Sequence, residues 1–488
     1  MPYDARVPRW VRSSSRQCSP QPHCTPVRVP AVVLTRVALG AGALSLALLA
    51  SACTGDAEPR PAPPTSSASP SASTPAQPRT VTFGMFGSKE EIGAMRGVVE
   101  SFNASSTTRK VKMVTWPDHE SALDDILAGN VPDVFLTSRI DLGQLIDAEV
   151  LRPVSLLLDE RGVDFGDRFS RDAVDAFAFE DELQCMAYSV SPMVVYYNDE
   201  LVDFEKMERR ELEVPSEKAE RWTLEQFEAA ARFASRRGDV RGVWIDPSLA
   251  GLSPFIHSGG GKVFDDDDEP TSLAFSDDDT REALSQTLAV LRDPTLTPNR
   301  KQLARATPLE LFKRGRLAMI AGYRNLVPEL RRAPGLSFDV ISMPALDDNA
   351  TVGDISGLCI SSETQVAGDA ADFIAYAVSD AAVEAVAATG YIVPANTEVA
   401  SSDAFLAPAE QPEHAEVFTN SIRHMVVPPF VADRVALVDA VEPLLRRMVT
   451  APGALDLEQI TEAIDEASRE VLSPPEEEPT EPSESASE

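Results

Sequence analysis

The stretch that decides the fold is Thr80 to Leu136, TVTFGMFGSKEEIGAMRGVVESFNASSTTRKVKMVTWPDHESALDDILAGNVPDVFL. Thr80-Val81-Thr82-Phe83-Gly84-Met85 reads as a strand. Glu90 to Phe102 reads as a helix, with Ile92, Met95, Val99 and Phe102 on one face. Val111 to Thr115 is a second strand, and His119 to Leu127 a second helix, stopped by Gly129-Asn130. Val131 to Leu136 is a third strand. This β-α-β-α-β order predicts an α/β fold with right-handed crossovers and a mostly parallel sheet. Ligands of such sheets sit beyond the carboxyl ends of the strands. Phe86 and Gly87 after the first strand, with Thr137 and Ser138 after the third, therefore form a candidate binding rim.

Upstream, Val37 to Cys53 (VALGAGALSLALLASAC) follows Arg28 and Arg36. A positive flank, a short apolar core and small residues before the cut describe a secretory signal. The run is shorter than the roughly 20 apolar residues of a membrane span. Ala50-Ser51-Ala52-Cys53 resembles a bacterial lipobox, which implies cleavage before Cys53 and lipid attached to it. Residues 1–36 make an overlong leader, and a start at Val33 or Leu34 would give a compact one. Residues 54–79, rich in Pro, Ser, Ala and Thr, read as a flexible tether. Residues 473–488 (SPPEEEPTEPSESASE) read as a disordered acidic tail. The folded part is expected over about 80–472.

The chain has 488 residues and a net charge of −33. Residues 1–52 hold six Arg, no Lys and one acidic residue, so the mature charge is near −38. That balance argues against nucleic-acid binding and against docking on anionic lipid. Of five cysteines, Cys18 and Cys24 precede the cut and Cys53 takes the lipid. Cys185 and Cys359 remain, and either a disulfide or two buried thiols is compatible with them. No CxxC or Cys/His cluster points to zinc.

Six segments, in order, resemble the family 1 extracellular solute-binding proteins, the capture subunits of ABC importers. Gly129-Asn130-Val131-Pro132-Asp133-Val134 looks like the family's G-x-x-P-D-V, and Met193 to Asn198 (MVVYYN) like its LYYN strand. Trp222 to Phe227 (WTLEQF) is similar to its TWxEL helix start, and Ser258 to Asp265 (SGGGKVFD) to NGGxxFD. Phe312 to Met319 (FKRGRLAM) looks like FxxGKAAM, and Gly390 to Ala395 (GYIVPA) like GxxPA. The resemblance implies a two-lobed periplasmic-binding-protein-like fold of type II, with ligand held in the cleft by hinge closure. It puts the first lobe at 80–188 plus 323–378 and the second at 189–322 plus 379–472. The chain is expected to cross between them near Tyr188 and near Gly322.

The family stacks pyranose faces on aromatic rings and bonds hydroxyls with carboxylates, amides and Arg. On that pattern Tyr197 is a ligand candidate, with a packed strand Tyr as the alternative, while Tyr196 points to the core. Tyr323 is the best aromatic platform, and Arg324 would suit a carboxylate or polyol. Gly260 in the glycine run joins the candidate site. So do Ser356 and Gly357, ahead of the strand Leu358-Cys359-Ile360, where the family often has GGW and this chain lacks the Trp. Trp222 and Trp244 read as structural, and Trp116 as a residue that could reach the rim. Aromatics are only 6% of the chain, which weakens a sugar assignment.

Enzyme signatures are missing: no P-loop, GxSxG or HExxH occurs. Asp118-His119-Glu120 reads as a helix start, and Asp265 to Glu269 as a solvated turn without EF-hand spacing. His257 carries no sequence signal of catalysis. Ala370 to Ala388 reads as helical core packing. The expectation is a lipid-anchored, monomeric solute-binding protein on the outer face of the membrane. It would deliver a small polar solute, such as a carbohydrate, to ABC permease subunits, with no cofactor, metal or catalysis. The runner-up is an envelope sensor or scaffold lipoprotein on the same fold.

Overall fold

The computed structural model describes residues 78–215, 221–236, 238–431 and 433–474. The signal segment, Cys53, the tether up to residue 77 and the tail from residue 475 lie outside the described residues.

β1 (Arg79–Phe86) alternates so that Val81, Phe83 and Met85 are buried. α1 (Lys89–Ser105) starts on a capping box in which Ser88 and Glu91 bond each other's backbone N–H. Its Met95, Val98, Val99 and Phe102 face the core. β2 (Arg109–Trp116) runs parallel to β1, α2 (His119–Leu127) follows, and β3 (Val134–Ser138) lies parallel on the other edge of β1. The predicted order holds. The third strand begins at Val134, not Val131, because Asp133 is spent on side-chain bonds. Its carboxylate accepts from Thr82 N at 2.8 Å, Thr82 Oγ1 at 2.7 Å and Thr364 Oγ1 at 2.6 Å. The P-D-V motif is thus a clasp between β1 and β3.

β4 (Cys185–Pro192) is followed almost at once by β5 (Val194–Asn198), and the chain changes sheet at Met193. Next come α3 (Leu224–Ser235), capped by Thr223 and Gln226, then β6 (Arg241–Trp244), α4 (Leu249–Ser258) and α5 (Asp278–Leu291). β7 (Leu317–Gly322) and β8 (Phe338–Ile341) complete a second sheet in the order β8-β5-β7-β6. β9 (Thr351–Ser361) returns to the first sheet, antiparallel to both β3 and β4. α6 (Ala367–Ala377) and α7 (Asp380–Ala387) pack against α1. β10 (Met425–Val426) pairs with the start of β9. α8 (Arg434–Thr450) and α9 (Leu457–Leu472) lie against each other and against the second-sheet helices.

Two lobes result, each around its own sheet. Phe373 on α6 meets Phe83 at 5.0 Å and Phe102 at 5.4 Å between ring centroids in the first core. Trp222, Phe227 and Phe255 stack edgewise or tilted in the second. Burial of each such ring contributes about 1.5–3 kcal/mol.

Several expected boundaries differ. Tyr188 lies within β4, and Gly322 ends β7 inside the second sheet, so neither marks a passage between sheets. The chain leaves the second sheet after Ile341, because β8 fills the open edge of β5 with an antiparallel ladder. α7 packs on α1 and on the short helical segments Thr397–Ala400 and Asp403–Leu406, so this part of the 379–472 group belongs to the first lobe. Asp354 to Gly357 are part of β9 and do not precede it. The predicted helix 370–388 is two helices, broken where Ser379 precedes α7. Cys185 and Cys359 face each other in register on β4 and β9 and form a disulfide, with Cα atoms 4.3 Å apart. Among the described residues no helix is long and apolar enough to cross a membrane.

Candidate functional site

A cavity of about 200 Å³ lies where the lobes meet. The first lobe contributes His119, the first residue of α2, and Ile140, just after β3. The second lobe contributes Leu249 and Ser253 from α4, Val263 and Phe264, and Tyr323 at the end of β7. The returning strand β9 supplies Val352 to Asp354, and the segment into α8 supplies Pro428, Pro429, Val431 and Arg434. The walls are mainly apolar, and a few polar groups converge on them, the usual composition of a small-molecule site.

Asp354 anchors these groups. Ser138 Oγ donates to its Oδ1 at 2.6 Å. Desolvation pushes the Asp354 carboxyl up, and Asp141 adds to this while Ser138 and His119 oppose it. His119 Nδ1 stands 3.5 Å from Asp141 Oδ2. Contact with Asp141 and the charges of Asp141, Asp354 and Glu120 hold the imidazole above its ordinary pKa, against the effect of burial. Phe86 meets the His119 ring edge-on at 6.2 Å. The Tyr323 hydroxyl is pushed up to about 12 by burial and then by the Asp354 charge. Beside the cavity, the Arg139 guanidinium lies 3.6 Å from the centroid of the Phe430 ring. Burial pushes it down to about 10, with Asp354 opposing. The site thus offers carboxylate acceptors beside imidazole, guanidinium and phenol donors, the groups that bind a polyhydroxylated or zwitterionic solute.

The sequence candidates fall into two groups. Ser138, Tyr323 and, by its ring contact with His119, Phe86 belong to this neighbourhood. Ser356 pairs with Ser138 across the β3–β9 ladder, and Thr137 beside it is buried. Gly87, at φ 148°, leads into the α1 cap. Four candidates do other work. Arg324 is fully buried: its Nη2 donates to Phe405 O at 2.9 Å, and its guanidinium packs over Phe405 and Phe418. Tyr197 packs on Phe204, with its hydroxyl 3.5 Å from Asp339, on the far face of the second sheet from Tyr196. Gly260 takes φ 79° in the turn that ends α4. Gly357 is a close approach, since a Cβ there would meet the Phe177 ring at 2.7 Å.

Trp116 is also structural, donating from Nε1 to Asp125 at 2.8 Å, and Trp222 donates to Ser342 O at 2.8 Å. Asp118 caps α2 as expected, through Ser121 N. Asp265 folds the acidic run into a turn by accepting from the backbone of Asp266, Thr271 and Ser272. Sequence reasoning missed His119, Asp354, Arg434 and the Arg139–Phe430 pair. Only the lone charge of Asp354 within the strand TVGDISGLCIS could have signalled the site. Among the described residues no group of three or more His, Cys, Asp or Glu is placed to hold a metal.

Two lobes on separate sheets, joined by crossing strands and enclosing a mainly apolar cavity on which a few polar groups converge, define a two-lobed solute-binding protein. The profile of the bacterial extracellular solute-binding protein family matches residues 97–413, more than half of the chain, and the chain belongs to that family. Membership places it outside the cytoplasm. No curated protein sequence matches it. Among solved structures it is similar to an ABC substrate-binding protein from Listeria monocytogenes in complex with cycloalternan. The TM-score is 0.67 and the identity 21%, covering 80% of this chain and 98% of that one. The sugar-binding protein MalE from Xanthomonas citri gives a TM-score of 0.66 at 19% identity, covering 80% and 97%. The maltotriose-binding protein of Thermus thermophilus gives 0.61 at 18% identity, covering 80% and 100%. At these identities the likeness establishes the fold.

Proposed function

We propose that this chain is the solute-binding lipoprotein of an ABC importer, anchored by lipid on Cys53, and that it captures a small carbohydrate or related polyol between its lobes. The observation that carries this reading is the convergence of His119, Asp354, Tyr323 and Arg434 from both lobes on one cavity. The sugar-binding neighbours support the carbohydrate class. The cavity volume of about 200 Å³ favours a single ring over an oligosaccharide. The mechanism is capture and lobe closure, followed by release to permease subunits, with no bond made or broken. We take the lobes as 79–192 with 351–426, and 194–350 with 433–472.

The test is thermal unfolding of residues 54–488 against sugars, polyols, amino acids, peptides and osmolytes. A ligand at about 100 times its Kd should add roughly 2.7 kcal/mol. A shift confined to monosaccharides and polyols, weakened by Asp354→Asn, is the expected result. No shift with any class, from a protein that melts cooperatively, would sink the transport reading in favour of an envelope sensor or scaffold. Cys53→Ala should move the protein from the membrane fraction to the medium, and retention at the membrane would exclude lipid anchoring at Cys53.

A further inference from the structure

A second and larger cavity, of about 760 Å³, opens in the second lobe away from the cleft. It lies between Trp244 at the end of β6, the end of α5, the segment from Pro294 to Leu303, and the turn after α8. α8 runs from Arg434 in the cleft to Val449 at this cavity, a separation of about 22 Å at the helical rise. The two sites therefore share no wall.

Its wall is built. Arg292, at the end of α5, donates to the carbonyls of Met448, Ala451 and Gly453, the latter two at 3.0 Å, and so fixes the turn after α8. Its charge makes. The lining is also electrostatically exceptional. Acidic residues outnumber basic ones 77 to 44 in the chain, yet the cavity is lined by three cations, Arg292, Arg300 and Lys301, and by no carboxylate. Among the described residues Arg300 and Lys301 make no ion pair, whereas 14 of the 28 described arginines do. Trp244 is half-buried in the same wall, and its Nε1 makes no hydrogen bond among the described residues. Unpaired cations beside an indole suit a ligand with an anionic group on a ring. The cations take the charge and the indole covers the ring.

We propose that this cavity is a second ligand site, selective for sugars that carry a phosphate or carboxylate. It goes beyond the cleft reading and stands or falls without it. The experiment titrates the mature chain, residues 54–488, with glucose 1-phosphate, glucuronate, glucose and inorganic phosphate, reading tryptophan emission and calorimetric heat. One of the two anionic sugars should bind saturably, and which one separates phosphate from carboxylate. Glucose and inorganic phosphate alone should each bind at least about tenfold more weakly, since each lacks half of the recognition. Arg300→Gln with Lys301→Gln should weaken the anionic sugar at least about tenfold. Trp244→Phe should abolish the emission change, and Asp354→Asn should leave the affinity within about twofold.

No saturable binding of either anionic sugar up to about 10 mM would overturn the proposal. So would glucose binding as tightly as its anionic forms, or binding removed by Asp354→Asn and kept by the Arg300/Lys301 double variant. Thermal unfolding of each variant without ligand separates loss of the site from loss of the fold.

Discussion

Breaking the Cys185–Cys359 disulfide should destabilise the protein strongly while leaving ligand affinity almost unchanged. The bond joins residues 174 apart in sequence and closes a loop that contains the whole run from β5 to β8, including the second sheet. Chain-entropy reasoning gives a cross-link over 174 residues about 5 kcal/mol at 25 °C. Both cysteines are fully buried and the strands that carry them are hydrogen-bonded neighbours. Cys185→Ala with Cys359→Ala therefore keeps the β4–β9 ladder and loses mainly the constraint on the unfolded chain. Retained denatured-state structure brings measured values down to about 2–5 kcal/mol. The assay is equilibrium unfolding in urea, oxidised against the double-alanine variant, with the slope monitored as well. An unconstrained unfolded chain exposes more surface, so the slope should rise as the midpoint falls. A change below about 1 kcal/mol would refute the reasoning, because it would mean that the loop is not closed by this bond or is already ordered when unfolded.

Three further outcomes follow from the site. Tyr323→Ala should weaken the cleft ligand by about tenfold or more, whereas Tyr197→Ala should lower stability and leave affinity intact; the reverse pattern in calorimetry would move the site to the far face of the second sheet. Arg324→Met should keep affinity and leave stability equal or higher by about 1–4 kcal/mol, since the buried guanidinium faces aromatic rings and no carboxylate; loss of binding would return Arg324 to the cleft. The folded pKa of His119 is raised, so its stabilising interaction is full below the unfolded value of about 6.5 and is lost as pH rises through the folded value. His119→Gln should therefore flatten part of the fall in urea midpoint between about pH 6 and 8. An unchanged slope would show that the imidazole is not held protonated by Asp141.

The motif segments were legible for a reason that also limited them. Asp133 clasps β1 to β3, Thr223 and Gln226 box the start of α3, and Gly315 turns the chain into β7 at φ 63°. Clasps, caps and turns act over a few residues, so their chemistry is written in short strings. They specify the scaffold. Tyr197 and Gly260 lie within such strings and make packing and turn contacts, as Arg324 does just after one. The cleft residues had no such signature. His119 looked like a helix start because it is one, and its ring feels the charge of Asp354 only because β9 runs back beside β3 from more than two hundred residues away.

By itself the sequence determined the α/β alternation of the first lobe, the caps, the acidic balance and the family pattern, all of which rest on periodicity, composition or local bonding. The tertiary structure decided what depends on strands distant in sequence: the pairing of β5 with β8 that moves the second crossing past Ile341, and the register that joins Cys185 to Cys359. The same long-range ladders bring Ser138, His119, Asp354 and Tyr323 to one cavity. No local pattern carries that information, because strand register is fixed by which buried faces meet, and those faces come from opposite ends of the chain.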